Sequence, residues 1–211
     1  MMTSVYRDMF ALCATVLLSS MSVSHSAPLS CEDLLRPLDQ LEPGHLEGRW
    51  ALVAGSLNHP PSVEVFKSRD SAAIHFSNSS ANSTATSYTR TFRSGGTCQY
   101  QLYNISVEGS TFILIFESRN HFNLSWTLLH TSCPDCMMIR WNVELESQSS
   151  YLFSRRREVG PKEMEEYKAQ LECLKLPPPV VMDPTKELCP EQTPSEPAAA
   201  QTGEKTEEQT A

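Results

Sequence analysis

Between Glu47 and Ser154, apolar and polar residues alternate with a period close to two. Many of the apolar members are β-branched or aromatic. Such alternation turns one face of a strand to a core and the other to water. The runs near 49–56, 62–67, 72–77, 86–93, 98–105, 111–117, 122–130, 137–145 and 149–154 are separated by Gly, Ser, Asn and Pro, which turn the chain. The gaps are short, so neighbouring runs should pair as hairpins in an antiparallel meander. Eight or nine sequential strands close into a barrel or fold as a sandwich.

Past Ser154 the period changes. Pro161 suits a first helical position. Met164, Tyr167, Leu171 and Leu174 then share one face, opposite Lys162, Glu165, Glu166 and Lys168. Pro177-Pro178-Pro179 stops this helix. A short helical turn is expected from Cys31 to Leu35, ended by Pro37.

Alternation also assigns faces. Tyr88, Arg90 and Phe92 fall together and are assigned to the interior. An outward Asn104 turns Gln101 and Tyr103 inward. An outward Asn123 does the same for Phe122, Leu124, Trp126 and Leu128. Ile139, Trp141, Val143 and Leu145 share an apolar face. In 111–117 both faces are apolar: Phe112, Leu114 and Phe116 on one, Ile113 and Ile115 on the other. One is expected to face the interior and the other to take the C-terminal helix.

Composition adds a compartment. Met9 to Leu18 is an apolar run of signal-peptide length, too short to span a bilayer comfortably. We read 1–26 as a signal peptide, 27–189 as the domain and 190–211 as a disordered acidic tail. The alternative is a leader retained as an anchor. Cys13 lies in the leader, which leaves Cys31, Cys98, Cys133, Cys136, Cys173 and Cys189. An even count behind a leader implies disulfides formed in an oxidising compartment, with 15 connectivities open. Sequons at Asn78, Asn82, Asn104 and Asn123 agree with secretion and glycosylation.

The net charge of −8 comes half from the tail, which holds five Glu and one Lys after Cys189. There is no basic stripe, so no nucleic-acid partner is expected. No later segment is apolar enough for stable membrane insertion. Cys133-x-x-Cys136 sits in a hairpin, not at the helix N-terminus that activates a redox thiol. With His130 it offers three metal ligands where a structural zinc site wants four, so no metal is expected. His45, His59, His75 and His121 are scattered and pair with no obvious nucleophile.

Gly48-Arg49-Trp50, opening the first strand, resembles the Gly-x-Trp signature of the lipocalins, and Arg155-Arg156 stands where that family has a basic residue before its single C-terminal helix. The run from Glu166 to Pro177 is similar to the helix end of the alpha-1-acid glycoprotein group. Cys31, Ser132-Cys133-Pro134 and Lys186-Glu187-Leu188-Cys189 fit that group and apolipoprotein M. The acidic tail resembles the fish members that bind saxitoxin and tetrodotoxin or tributyltin.

The resemblance implies an all-β, eight-stranded antiparallel up-and-down barrel with one C-terminal α-helix packed outside. It implies that Arg155 and Arg156 pack over Trp50 and close the base through a cation–π contact. It implies the bridges Cys31–Cys173 and Cys98–Cys189. The group's third bridge lacks its helix cysteine near Met164, which leaves Cys133 to pair with Cys136. No thiolate then remains for the isomerase chemistry of the one enzymatic lipocalin subgroup. Tyr151 and Phe153 match cavity-lining positions, and Leu114 stands where alpha-1-acid glycoprotein has an arginine.

The ligand-binding candidates are therefore Trp50, Leu52, Tyr88, Arg90, Phe92, Gln101, Tyr103, Leu114, Trp126, Trp141, Tyr151 and Phe153. The implied function is extracellular carriage of one hydrophobic or amphipathic small molecule (a lipid, steroid, toxin or organotin) by a monomer. No catalysis and no cofactor are expected. Two rivals remain: an acute-phase or immunomodulatory interaction glycoprotein, and a lipoprotein-associated lipid carrier that keeps its leader.

Overall fold

Trp50 lies on a long strand, β1 (Gly48–Leu57), which closes the sheet on itself. In the computed structural model, which describes residues 29–39, 41, 43–77, 85–114, 125–142 and 148–191, seven more strands follow in a meander. They are β2 (Ser71–Phe76), β3 (Ala85–Ser94), β4 (Thr97–Glu108), β5 (Thr111–Leu114), β6 (Ser125–Leu129), β7 (Cys136–Asn142) and β8 (Ser149–Ser154). Each pairs antiparallel with the next. β8 then pairs with β1, and β1 with β2. The result is a closed eight-stranded up-and-down barrel.

The ninth strand is outside the barrel. Val180–Val181 (β9) lies along β1, opposite Gly55 and Ala54, beyond the four β1–β2 pairs from Gly48 to Ala51. The expected strand at 62–67 is instead a helix. Two short helices, α1 (Cys31–Leu34) and α2 (Pro43–Leu46), precede the barrel; α3 (Pro60–Lys67) follows β1 and replaces that strand. Pro60 and Pro61 occupy its first turn, where a missing N–H costs nothing. Ser62-Val63-Glu64-Val65 alternates like a strand, yet only Phe66 of α3 is buried.

The last helix, α4 (Pro161–Cys173), lies where the 3.6-residue pattern put it. Glu163 accepts the Gly160 N–H and caps its first turn. Its buried face carries Tyr167, Gln170 and Leu171. This face packs outside the barrel on Val53, Leu129, Met138 and Leu152, which belong to β1, β6, β7 and β8. The expectation that α4 would cover 111–117 is thus corrected for 111–114, none of which joins this cluster, while 115–117 lie outside the described residues. Phe112 and Leu114 of β5 face the barrel core, and the outer faces of β7 and β8 are apolar enough to take the helix. The Tyr167 hydroxyl donates to the Ser150 carbonyl at 2.8 Å, and the buried Gln170 amide donates to the carbonyls of Leu34 and His130 at 2.9 Å each. These bonds satisfy the polar groups that packing removes from water.

Three disulfides link Cys31 to Cys173, Cys98 to Cys189 and Cys133 to Cys136. The first joins α1 to the end of α4. The second pins the segment after α4 to β4. That segment is a strap along the wall. Its carbonyls at Pro177 and Glu187 accept the hydroxyls of Ser56 and Ser71, and Met182 donates its N–H to Val53. The leader at 1–26, the sequons at Asn78, Asn82 and Asn123, and the tail from 192 onward lie outside the described residues.

Candidate functional site

The barrel has a closed end and an open one. At the closed end Trp50 is fully buried and donates its Nε1–H to the Leu46 carbonyl at 2.9 Å. The Arg155 guanidinium lies 3.8 Å from the centre of the Trp50 ring. It also donates to the carbonyls of Arg49 (3.2 Å) and His45 (2.8 Å). Gly48 makes room: its φ is +85°, and a Cβ there would come 3.2 Å from Arg155.

Arg156 does something different. It points away from Trp50 and pairs with Asp135 at 2.6 Å and Glu163 at 2.8 Å. The chain bends directly after β8, and the expected pair of closing arginines divides into one that covers the base and one that ties α4 to the β6–β7 turn.

Above Trp50 the core is aromatic. Phe76, Tyr88, Phe112 and Trp126 touch in a ring of contacts with centroids 5.4–5.8 Å apart. Trp126 meets Trp141 at 4.9 Å, and Tyr88 stacks on Tyr103 at 5.1 Å. Burial raises the pKa of the Tyr88 hydroxyl, which stays neutral.

A cavity that opens at the mouth begins at these rings. Of the candidates, Leu52, Tyr88, Arg90, Trp126, Trp141, Tyr151 and Phe153 line it. Trp50 and Leu114 lie in the same buried core but off the cavity wall, while Phe92 and Tyr103 pack half-buried against that core. Gln101 is half-buried and reaches the cavity through Arg90. Asn104 is exposed, as a sugar site requires.

Sequence reasoning passed over Ala72, Ile74 and Phe76, which also line the cavity; their alternation on β2 was a usable signal. It also passed over Arg69, which lies in the β1–β2 connection, where no periodicity marks it.

α3 lies at the mouth. Phe66, 1% exposed, packs on Tyr151 with centroids 5.9 Å apart. Gly55 permits this, since a Cβ there would lie 2.6 Å from the Phe66 ring and 2.8 Å from Tyr151. A second space, beside α3, is bordered by Leu57, Phe66, Arg69, Arg90 and Tyr151, and the last three also line the barrel cavity.

Arg69 stacks 4.9 Å from Phe92 and 5.7 Å from Phe66. Burial, and then the charge of Arg90, push its pKa below the usual arginine value. Arg90 is held by Gln101, whose Oε1 accepts from Arg90 Nε at 3.1 Å and from Arg90 Nη2. The same oxygen accepts the Tyr103 hydroxyl at 2.8 Å.

Cys133, Asp135, Cys136 and Glu163 place candidate metal ligands within 4.8 Å of one another. The two sulfurs are joined, however, and the Arg156 guanidinium is already paired with both carboxylates. The cluster therefore holds an organic cation. His130 is not part of it.

No family model and no curated protein matches the sequence. Among solved structures the barrel is similar to that of the siderocalin Ex-FABP, described as functioning through dual ligand specificities, with a TM-score of 0.57. The identity is 13%, and the match covers 71% of this chain and 97% of that one. The fold is that of a lipocalin. Within this lipocalin barrel the closed base, the aromatic wall and the arginine-lined mouth occupy successive levels.

Proposed function

We propose that this lipocalin-fold protein carries a hydrophobic or amphipathic small molecule inside its barrel, outside the cell, and performs no chemistry on it. The cavity is the observation that carries the reading. Its wall is mostly aromatic and aliphatic, with two arginines at the mouth, the lining expected of a site for a small apolar molecule with a polar end. Affinity would come from burying apolar ligand surface, at about 25 cal/mol per Å² before ordering costs.

Three disulfides and an exposed sequon at Asn104 support a secreted glycoprotein. All six of these cysteines are bonded, which leaves none of them as a nucleophile. Lipids, steroids, drug-like toxins and organotins remain the candidate cargo, as in the group the sequence resembles.

The test is displacement of an environment-sensitive apolar fluorophore from the purified protein. Saturable binding at one site, competed by a small apolar molecule and accompanied by quenching of Trp126 and Trp141, is the expected result. Absence of any saturable site would sink the carrier reading in favour of an interaction protein that uses the barrel only as a scaffold.

A further inference from the structure

We infer that the mouth of the barrel is an oxyanion site, in which a carboxylate or phosphate head group seats between Arg69 and Arg90 while its apolar tail enters the aromatic cavity. This rests on the carrier reading and specifies the polar end of the cargo.

Hydrogen-bond donors outnumber acceptors at this level of the barrel. Gln101 Oε1 alone receives both Arg90 nitrogens and the Tyr103 hydroxyl. A carbonyl oxygen has two lone pairs, so three donors overfill it. Arg69 Nε is buried and has no acceptor among the described residues, and neither has Trp126 Nε1 deeper in the cavity. Buried donors left without acceptors are costly and uncommon, and a ligand acceptor would satisfy them.

Charge points the same way. Two guanidinium groups face one apolar cavity. Among the described residues neither is ion-paired with a carboxylate, whereas Arg36, Arg93 and Arg156 all are. An oxyanion with two or three oxygens supplies the missing acceptors and the missing charge together, and guanidinium forks suit it geometrically. Arg69 follows α3 and borders both the barrel cavity and the space beside α3, so a bound head group would also fix the mouth.

The experiment compares three ligands with one ten-carbon tail: decanol, decanoate and decyl phosphate. Binding to the purified protein is read by calorimetry and by quenching of the cavity tryptophans. At low salt at least one anion should bind about tenfold tighter than decanol, and added salt should erode that advantage. Arg69→Gln should weaken the preferred anion about five- to tenfold while decanol changes less than about twofold. Arg69→Lys, which keeps the charge but loses the fork, should retain only part of the preference. A preference for decyl phosphate assigns a phosphate-type head, and one for decanoate a carboxylate-type head.

Decanol binding as tightly as both anions would overturn this inference and leave the carrier reading standing. So would equal losses for all three ligands on Arg69→Gln. If none of the three binds, the carrier reading falls and takes the anion site with it.

Discussion

Each end of the barrel lays an arginine on an aromatic ring, but the two arginines differ in what satisfies them. At the base, Arg155 covers Trp50 and donates to two backbone carbonyls. At the mouth, Arg69 covers Phe92 and leaves its Nε without an acceptor. The same side chain thus serves as a finished structural part in one place and as an unfinished contact in the other. Ring stacking is common to both, so it does not separate a structural arginine from a binding one. The separating quantity is how many donors the fold itself has used.

Substitutions at the two ends sharpen this contrast. Trp50→Ala should have the largest effect, about 3–5 kcal/mol of unfolding free energy in a denaturant titration, because it empties the base of the core. Phe66→Ala should cost less, about 2 kcal/mol, since α3 is one short helix and can rearrange locally. It should also speed ligand exchange in stopped-flow displacement, which Trp50→Ala should not do selectively. Equal stability losses at the two aromatics would break the distinction between the ends.

The arginines come next. Arg155→Ala should lower stability by about 1 kcal/mol, from a partly exposed cation–π contact and its hydrogen bonds. Arg69→Ala should leave stability unchanged within about 0.5 kcal/mol, because it also removes a like-charge neighbour of Arg90. The smallest effect belongs to Glu163, on the closed-end side. Its hydrogen bond from Arg156, then that from the Gly160 N–H, hold its pKa below the ordinary 4.5. A depressed carboxylate stabilises the fold above its unfolded pKa, and that contribution is lost as pH falls through the folded value. Glu163→Gln should therefore slightly flatten the acid limb of stability against pH below about 5.

How much of this was legible in the chain follows from how many residues carry each signal. Most barrel strands repeat an alternation over four or more positions and were visible from it, while β5 was visible as a short apolar run with β-branched and aromatic residues on both faces. The C-terminal helix had two turns of consistent spacing. α3 was misread because Ser62-Val63-Glu64-Val65 alternates while a single residue, Phe66, anchors the helix. β9 is two residues long and exists only because β1 offers it backbone partners. Arg155 and Arg156 are adjacent, and only their opposite directions in space assign Trp50 to one and Glu163 to the other. Arg69 sits in a connection, where position is set by tertiary packing alone.

The strap along the wall has one more consequence. β1 pairs with β2 only as far as Ala51, and Val53 to Gly55 then find their partners in β9 and Met182. If the strap came away, those backbone groups would form a bare sheet margin, the kind of surface that recruits strands from neighbouring molecules. Cys98–Cys189 fastens the far end of the strap. Selective reduction of that bridge should thus show first as self-association in light scattering, before the barrel itself opens. The bond would then act as a guard against aggregation as much as a source of stability.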